Sequence, residues 1–229
     1  VVAREGYFLL LSLLGATEDF VSVLSNMISQ RRVDGIIVAS TPRDSEVVTK
    51  VREGGLPFTL IGPCFLPDVH SVDVDNEEGA YRAARHLIDL GHREIGYISG
   101  DMRFDYAVQR YRGFQRALDE GGIGSAHVHL GDVTHRSGQR GARHLLENYR
   151  GITAIACASD MAAYGAIAAA RELGYRIPDD LSVVGFDDIP FAQEHEIKLT
   201  TIRQPISKLG YLASENLIAR LTDSTKPVG

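Results

Sequence analysis

Along this chain, short runs rich in Val, Ile, Leu and Phe alternate with longer stretches in which apolar residues return every three or four positions. Runs without a polar alternate position suit strands covered on both faces, and the three-to-four spacing suits helices laid on them. The pattern predicts strands at 7–13, 36–39, 58–61, 71–74, 95–99, 127–130, 154–158, 182–186 and 200–203. Between them, stripes at Val21, Leu24, Met27 and Ile28, at Ala80, Ala84, Leu87 and Ile88, at Phe114, Ala117 and Leu118, and at Ile206, Leu209, Ala213, Leu217 and Leu221 predict helices. Gly91, Gly121, Gly122 and Gly174 stand where helix C-caps belong. Strand followed by helix, repeated, is the rhythm of a parallel α/β fold. So many strands fit better into two sheets of about five or six, in two lobes, than into one.

Charge narrows the partners. The 229 residues carry 24 Lys+Arg against 30 Asp+Glu, a net charge of -6, so the segment has no electrostatic footprint for a phosphate backbone or an anionic membrane. Any nucleic-acid contact is expected outside it. Cys64 and Cys157 form no CxxC pair and have no His at metal-ligand spacing, which suits a reducing compartment. The apolar run at 7–14 is too short to span a bilayer. Val1 to Gly6 reads as the last turn of a helix closed by glycine, and residues 223–227 have loop-like composition, so the fold is expected to be truncated at both ends.

The usual enzymatic signatures are missing. Gly121, Gly122 and Gly124 follow a helix instead of opening one after a strand, the wrong setting for a pyrophosphate. His127 and His129 could share a strand face, but no third ligand has motif spacing, so no metal is expected. There is no HExxH and no Gly-x-Ser-x-Gly. Neither catalysis nor a cofactor is expected. In parallel sheets ligands bind beyond the carboxyl ends of the strands, which directs attention to residues 100–110, 131–135, 159–160 and 187–188. Simpler roles compete there: Asp75 or Asn76 with Glu78 reads as a helix-capping pair, and Asp160 as an N-cap that leaves Ser159 the more exposed polar group.

Several runs carry a family resemblance. Val74-Asp75-Asn76-Glu77-Glu78-Gly79-Ala80 is followed by His86-Leu87-Ile88-Asp89-Leu90-Gly91-His92-Arg93-Glu94-Ile95-Gly96-Tyr97-Ile98, then by Arg110-Tyr111-Arg112-Gly113-Phe114-Gln115-Arg116-Ala117-Leu118. The order continues with Ile177-Pro178-Asp179-Asp180-Leu181-Ser182-Val183-Val184-Gly185-Phe186-Asp187-Asp188-Ile189-Pro190 and Leu199-Thr200-Thr201-Ile202-Arg203-Gln204-Pro205. Together they resemble the effector-binding core of the lactose-repressor (LacI-type) family of bacterial transcription regulators. The resemblance implies the type I periplasmic-binding-protein-like fold, two Rossmann-like lobes joined by three crossovers with a ligand between them. It implies a first lobe of residues 1–91 plus 205–229 and a second of 92–204, with the DNA-binding segment and first strand before Val1.

It also implies site residues. Arg110 occupies the family's effector-binding arginine position, where its planar fork suits hydroxyls or a carboxylate, and Asp187 the effector-binding aspartate. Phe104 and Tyr106 lie in the loop where members vary their ligand contacts, and Gln204 at a crossover position. Ser159 replaces a frequent Asn, and Val133 a frequent aromatic wall. With Glu78, these mixed donors and acceptors favour a sugar or polyol effector, and a purine second. The protein expected is a cytoplasmic, dimeric repressor that binds operator DNA through its N-terminal segment, without membrane attachment. The alternatives are a periplasmic sugar-binding receptor of the same fold, or an α/β enzyme with an unrecognised cleft.

Overall fold

Eight strands and seven α-helices alternate among the residues that the computed structural model describes, namely 1–11, 20–39, 41–43, 46–64, 66, 69–124, 126–190 and 196–222. Every strand pairing among the described residues is parallel. The chain divides into two compact units, Val1–Val74 with Pro205–Gly229, and Asp75–Gln204.

In the first unit, β1 (Ile36–Ala39), β2 (Phe58–Ile61) and β3 (Ser71–Val72) form a sheet in that order, with α1 (Phe20–Ser29), α2 (Val47–Glu53) and α7 (Ile206–Thr222) around it. Leu24, Val38, Val47, Val51, Phe58, Leu60 and Val69 make its core. Helix α7 returns to this unit by burying Leu209, Ala213 and Leu217, and Arg220 Nη1 donates to the Phe58 carbonyl at 2.9 Å. The turn at Val2–Glu5 is a 3-10 helix closed by Gly6 in the left-handed region (φ 79).

The predicted strand at 7–13 is not formed where it can be followed. Residues 7–11 take no strand conformation, Phe8 is fully exposed, and residues 12 and 13 lie outside the described residues. An apolar run becomes a strand only when a neighbouring backbone completes its ladder. No described strand pairs with it.

The second unit holds β4 (Ile95–Ile98), β5 (His127–His129), β6 (Ala154–Cys157), β7 (Ser182–Asp187) and β8 (Thr200–Arg203) in the order β5-β4-β6-β7-β8. Alternate strand residues go to opposite cores. Tyr97, Ala154 and Ala156 pack with α3 (Asn76–Asp89) and α4 (Asp105–Glu120), whereas Ile98, Ile155 and Cys157 pack with α5 (His135–Asn148) and α6 (Asp160–Glu172). With both faces covered, no position needs to be polar, which explains the continuous apolar runs.

Helix α3 moves the unit boundary. The resemblance implied a first lobe that runs to Gly91, but α3 buries Ala84, Leu87 and Ile88 with Phe114, Ala117 and Leu118 of α4, so the division falls between Val74 and Asp75. Gly113 permits this helix pair: a Cβ there would collide with the Glu77 carbonyl oxygen. Packing of its amphipathic stripe decides which unit a helix joins.

Candidate functional site

Helix α4 begins at the N-cap Phe104, so Arg110 falls on its second turn and on its buried face, with 5% of its surface exposed. A buried guanidinium has to be satisfied by fixed partners. Nε donates to Asn76 Oδ1 at 2.9 Å, and Nη1 donates to the Ala158 carbonyl at 2.6 Å and to Asp187 Oδ1 at 3.4 Å. The guanidinium carbon lies 3.6 Å from the centre of the Phe186 ring and 5.2 Å from that of Tyr106. The Phe186 ring is seated against Gly79, whose missing Cβ leaves it room. Nη2 has no protein partner among the described residues and remains a two-hydrogen donor.

Asp187 ends β7, with φ 127, and Asp188 follows with φ 55. Gln204, just past β8, grips Asp187 twice: its Nε2 donates to Oδ1 at 2.6 Å and its backbone amide to the Asp187 carbonyl at 3.0 Å. Burial pushes the Asp187 carboxyl above the ordinary carboxylate range, opposed by the Arg110 charge and the Gln204 hydrogen bond. Burial also lowers Arg110 from its usual value, opposed chiefly by Asp187. Each member therefore draws the other toward its charged form. Tyr106 lies beside the arginine, and the half-buried Phe104 ring is 5.5 Å from that of Tyr106.

Two sequence expectations change. Ser159, not Asp160, is the N-cap of α6: its Oγ accepts from the Ala162 amide at 3.1 Å and donates to the Val133 carbonyl at 3.0 Å. It is 2% exposed, so its hydroxyl is held by the protein and is not the open polar group expected. Glu78 faces away from Arg110. It binds Arg82 at 2.8 Å and Arg116 at 2.7 Å on the outer α3–α4 surface, where their hydrogen bonds lower its carboxyl pKa. Asp75 caps α3 by accepting from the Glu78 amide at 2.8 Å.

The structure adds residues that sequence reasoning left as caps or core. Asn76 is 2% exposed and orients Arg110. Its signal was present, because it precedes Ala80 and Ala84 by four and eight positions on the buried stripe. Asp160 is fully buried, takes hydrogen bonds from Thr201 Oγ1 and, at 2.9 Å, from the Ile189 amide, and is pushed up by burial to about 6. His127 stacks on Tyr149 at 3.9 Å; among the described residues no group of three or more His, Cys, Asp or Glu could hold a metal ion. No helix among them is long and apolar enough to cross a membrane.

The cluster offers a fork donor, a carboxyl acceptor and aromatic faces at the carboxyl ends of β6, β7 and β8. Such a set suits a small ligand that carries both hydroxyls and an apolar face. A single arginine against an aspartate does not suit a highly phosphorylated one.

Comparison with known proteins gives the cluster its context. The profile described as periplasmic binding protein-like domain matches residues 84–229. The HTH-type transcriptional regulator CelR of Thermobifida fusca is 33% identical over 90% of this chain and 62% of its own length. The solved CelR–cellobiose complex superposes with a TM-score of 0.85 at 32% identity, covering 90% of this chain and 65% of that one. A LacI family regulator from Enterococcus faecium with bound ribose gives 0.87 at 26% identity, over 98% of this chain and 83% of that one. The chain thus spans about three fifths of the curated regulator's length.

Proposed function

Because the chain belongs to the LacI family of transcriptional regulators, we propose that it is the effector-sensing core of a bacterial repressor and that its effector is a sugar or polyol bound at Arg110 and Asp187. The observation that carries this reading is the buried Arg110–Asp187 pair, locked by Asn76, Ala158 and Gln204 and flanked by Tyr106 and Phe104. Arg110 Nη2 donates to a ring or hydroxyl oxygen, Asp187 accepts from neighbouring hydroxyls, and the aromatic rings take the apolar sugar face. The sugars in the CelR and Enterococcus faecium complexes support this class, and a purine is second.

In the full-length protein, binding changes operator affinity through a segment outside this chain. That coupling requires the effector to bind one state more tightly than the other, by about 1–3 kcal/mol in typical allostery. The protein acts in the cytoplasm as a homodimer and turns over no substrate.

The test is calorimetry of the full-length protein with cellobiose, ribose and hypoxanthine, followed by operator-binding assays with whichever binds. A sugar that binds, is recovered unchanged and alters operator affinity supports the reading. Consumption of the sugar, or a secretory leader in place of a DNA-binding segment, overturns it.

A further inference from the structure

We propose that Asp160 is a positioning residue for the ligand-binding carboxylate, acting on Asp187 through the turn that follows β7; the proposal rests on the reading of Arg110 and Asp187 as the ligand site. The turn needs an external hold. Asp187 and Asp188 both have positive φ, 127 and 55, a region that side-chain-bearing residues rarely adopt unless the surroundings impose it.

Asp160 supplies that hold from the first turn of α6. Its Oδ2 accepts from the Ile189 amide at 2.9 Å, the Asp188 amide also acts on its carboxylate, and Oδ1 accepts from Thr201 Oγ1 on β8. Gly185, two residues before Asp187, clears the way: a Cβ there would collide with Asp160 Oδ1. One carboxylate therefore joins α6, β7, β8 and the turn at its centre.

An ordinary core would not use a charge for this. Asp160 is fully buried and makes no ion pair among the described residues, a costly arrangement. The groups that face it are Asp187 and Asp188 from the turn, Cys157 from β6, Tyr164 from its own helix and Thr201 from β8, with Arg203 paired to Asp188 and Arg110 beyond Asp187. The backbone amide of Asp160 acts on the Asp187 carboxyl by a hydrogen bond that lowers its pKa. Removing the side-chain hold loosens both the turn and that hydrogen bond and so raises the proton affinity of Asp187, whereas a purely structural contact would change only the turn.

The experiment compares full-length wild type, Asp160→Asn and Thr201→Val. Asparagine keeps the shape and an acceptor for Thr201 but turns its NH2, a donor, toward the Ile189 amide, and valine removes one hydrogen bond while leaving the charge. Carboxyl carbon NMR titration of Asp187 and amide exchange at Asp188 and Ile189 need no ligand. Expected are a higher Asp187 titration midpoint and faster amide exchange in Asp160→Asn, and an unmoved midpoint in Thr201→Val. Cellobiose affinity at pH 7.5 should fall at least about tenfold in Asp160→Asn. An Asp187 midpoint and amide exchange equal to wild type overturn the proposal, even if sugar binding is lost. If wild type binds neither cellobiose nor ribose while the midpoint moves as stated, the sugar reading fails and the coupling of Asp160 to Asp187 stands.

Discussion

Arg110 Nη1 lies 3.4 Å from Asp187 Oδ1, and the two residues come from the second turn of α4 and the last position of β7, 77 positions apart in sequence. Burial pushes each toward its neutral form and each restrains the other. A largely desolvated pair of this kind is poised to exchange part of its mutual attraction for hydrogen bonds to a ligand.

Arg110→Ala and Asp187→Asn should each weaken cellobiose binding by about 1.5–3 kcal/mol, roughly ten- to a hundred-and-fifty-fold. Arg110→Lys should lose nearly as much, because an ammonium cannot reach Asn76, Ala158 and a ligand from one plane. Calorimetry on the three variants, with Glu78→Ala as an unaffected control, decides the site assignment.

Ser159→Ala should act on stability and not on affinity. Loss of an N-cap costs about 1 kcal/mol, and the Val133 carbonyl also loses its donor. Denaturant melts should show a lower midpoint with an unchanged slope, while cellobiose affinity stays within about twofold, under 0.5 kcal/mol.

Gly113→Ala should be worse for stability than an ordinary surface change. Its Cβ must displace the Glu77 carbonyl and thereby α3, an overpacking of about 1–3 kcal/mol. Because α3 carries Asn76, the variant should also bind cellobiose more weakly, a double effect that melts and calorimetry can separate.

Asp180 gives a pH dependence with a defined sign. Arg176 holds its carboxyl down to about 2, through side-chain hydrogen bonds at 2.7 and 2.8 Å and a backbone amide at 2.9 Å. A group whose folded value is depressed stabilises the fold above its ordinary value, here 3.8, and loses that contribution as pH falls toward 2. Asp187, raised by burial, has the opposite sign: its contribution to folding falls as pH rises through its folded value. Urea melts from pH 2 to 6 should show less acid loss in Asp180→Asn than in wild type.

Cellobiose binding should have an acid limb above the ordinary carboxylate range, since Asp187 must be ionised to accept from hydroxyls and burial raises its pKa. Affinity should therefore fall as pH is lowered through that raised value. A titration by calorimetry that finds constant affinity down to pH 4 would remove Asp187 from the binding contacts.

The amino-acid sequence alone determined the family and the elements from residue 20 onward, but not the strand expected at 7–13. Apolar runs without alternation announced strands covered on both faces, and the runs around Asp75, Gly113, Gly185 and Gln204 carried the resemblance. These features are local: periodicity and turn chemistry are set by neighbours in the chain. The tertiary structure decided the rest, because partners distant in sequence compete for the same groups. It assigned α3 to the second unit through the apolar stripe it shares with α4. It gave the α6 cap to Ser159 and so released Asp160 to the β7 turn, and it turned Glu78 outward to Arg82 and Arg116. A polar side chain's role depends on which donor or acceptor is nearest once the chain has packed, and spacing along the sequence does not contain that distance.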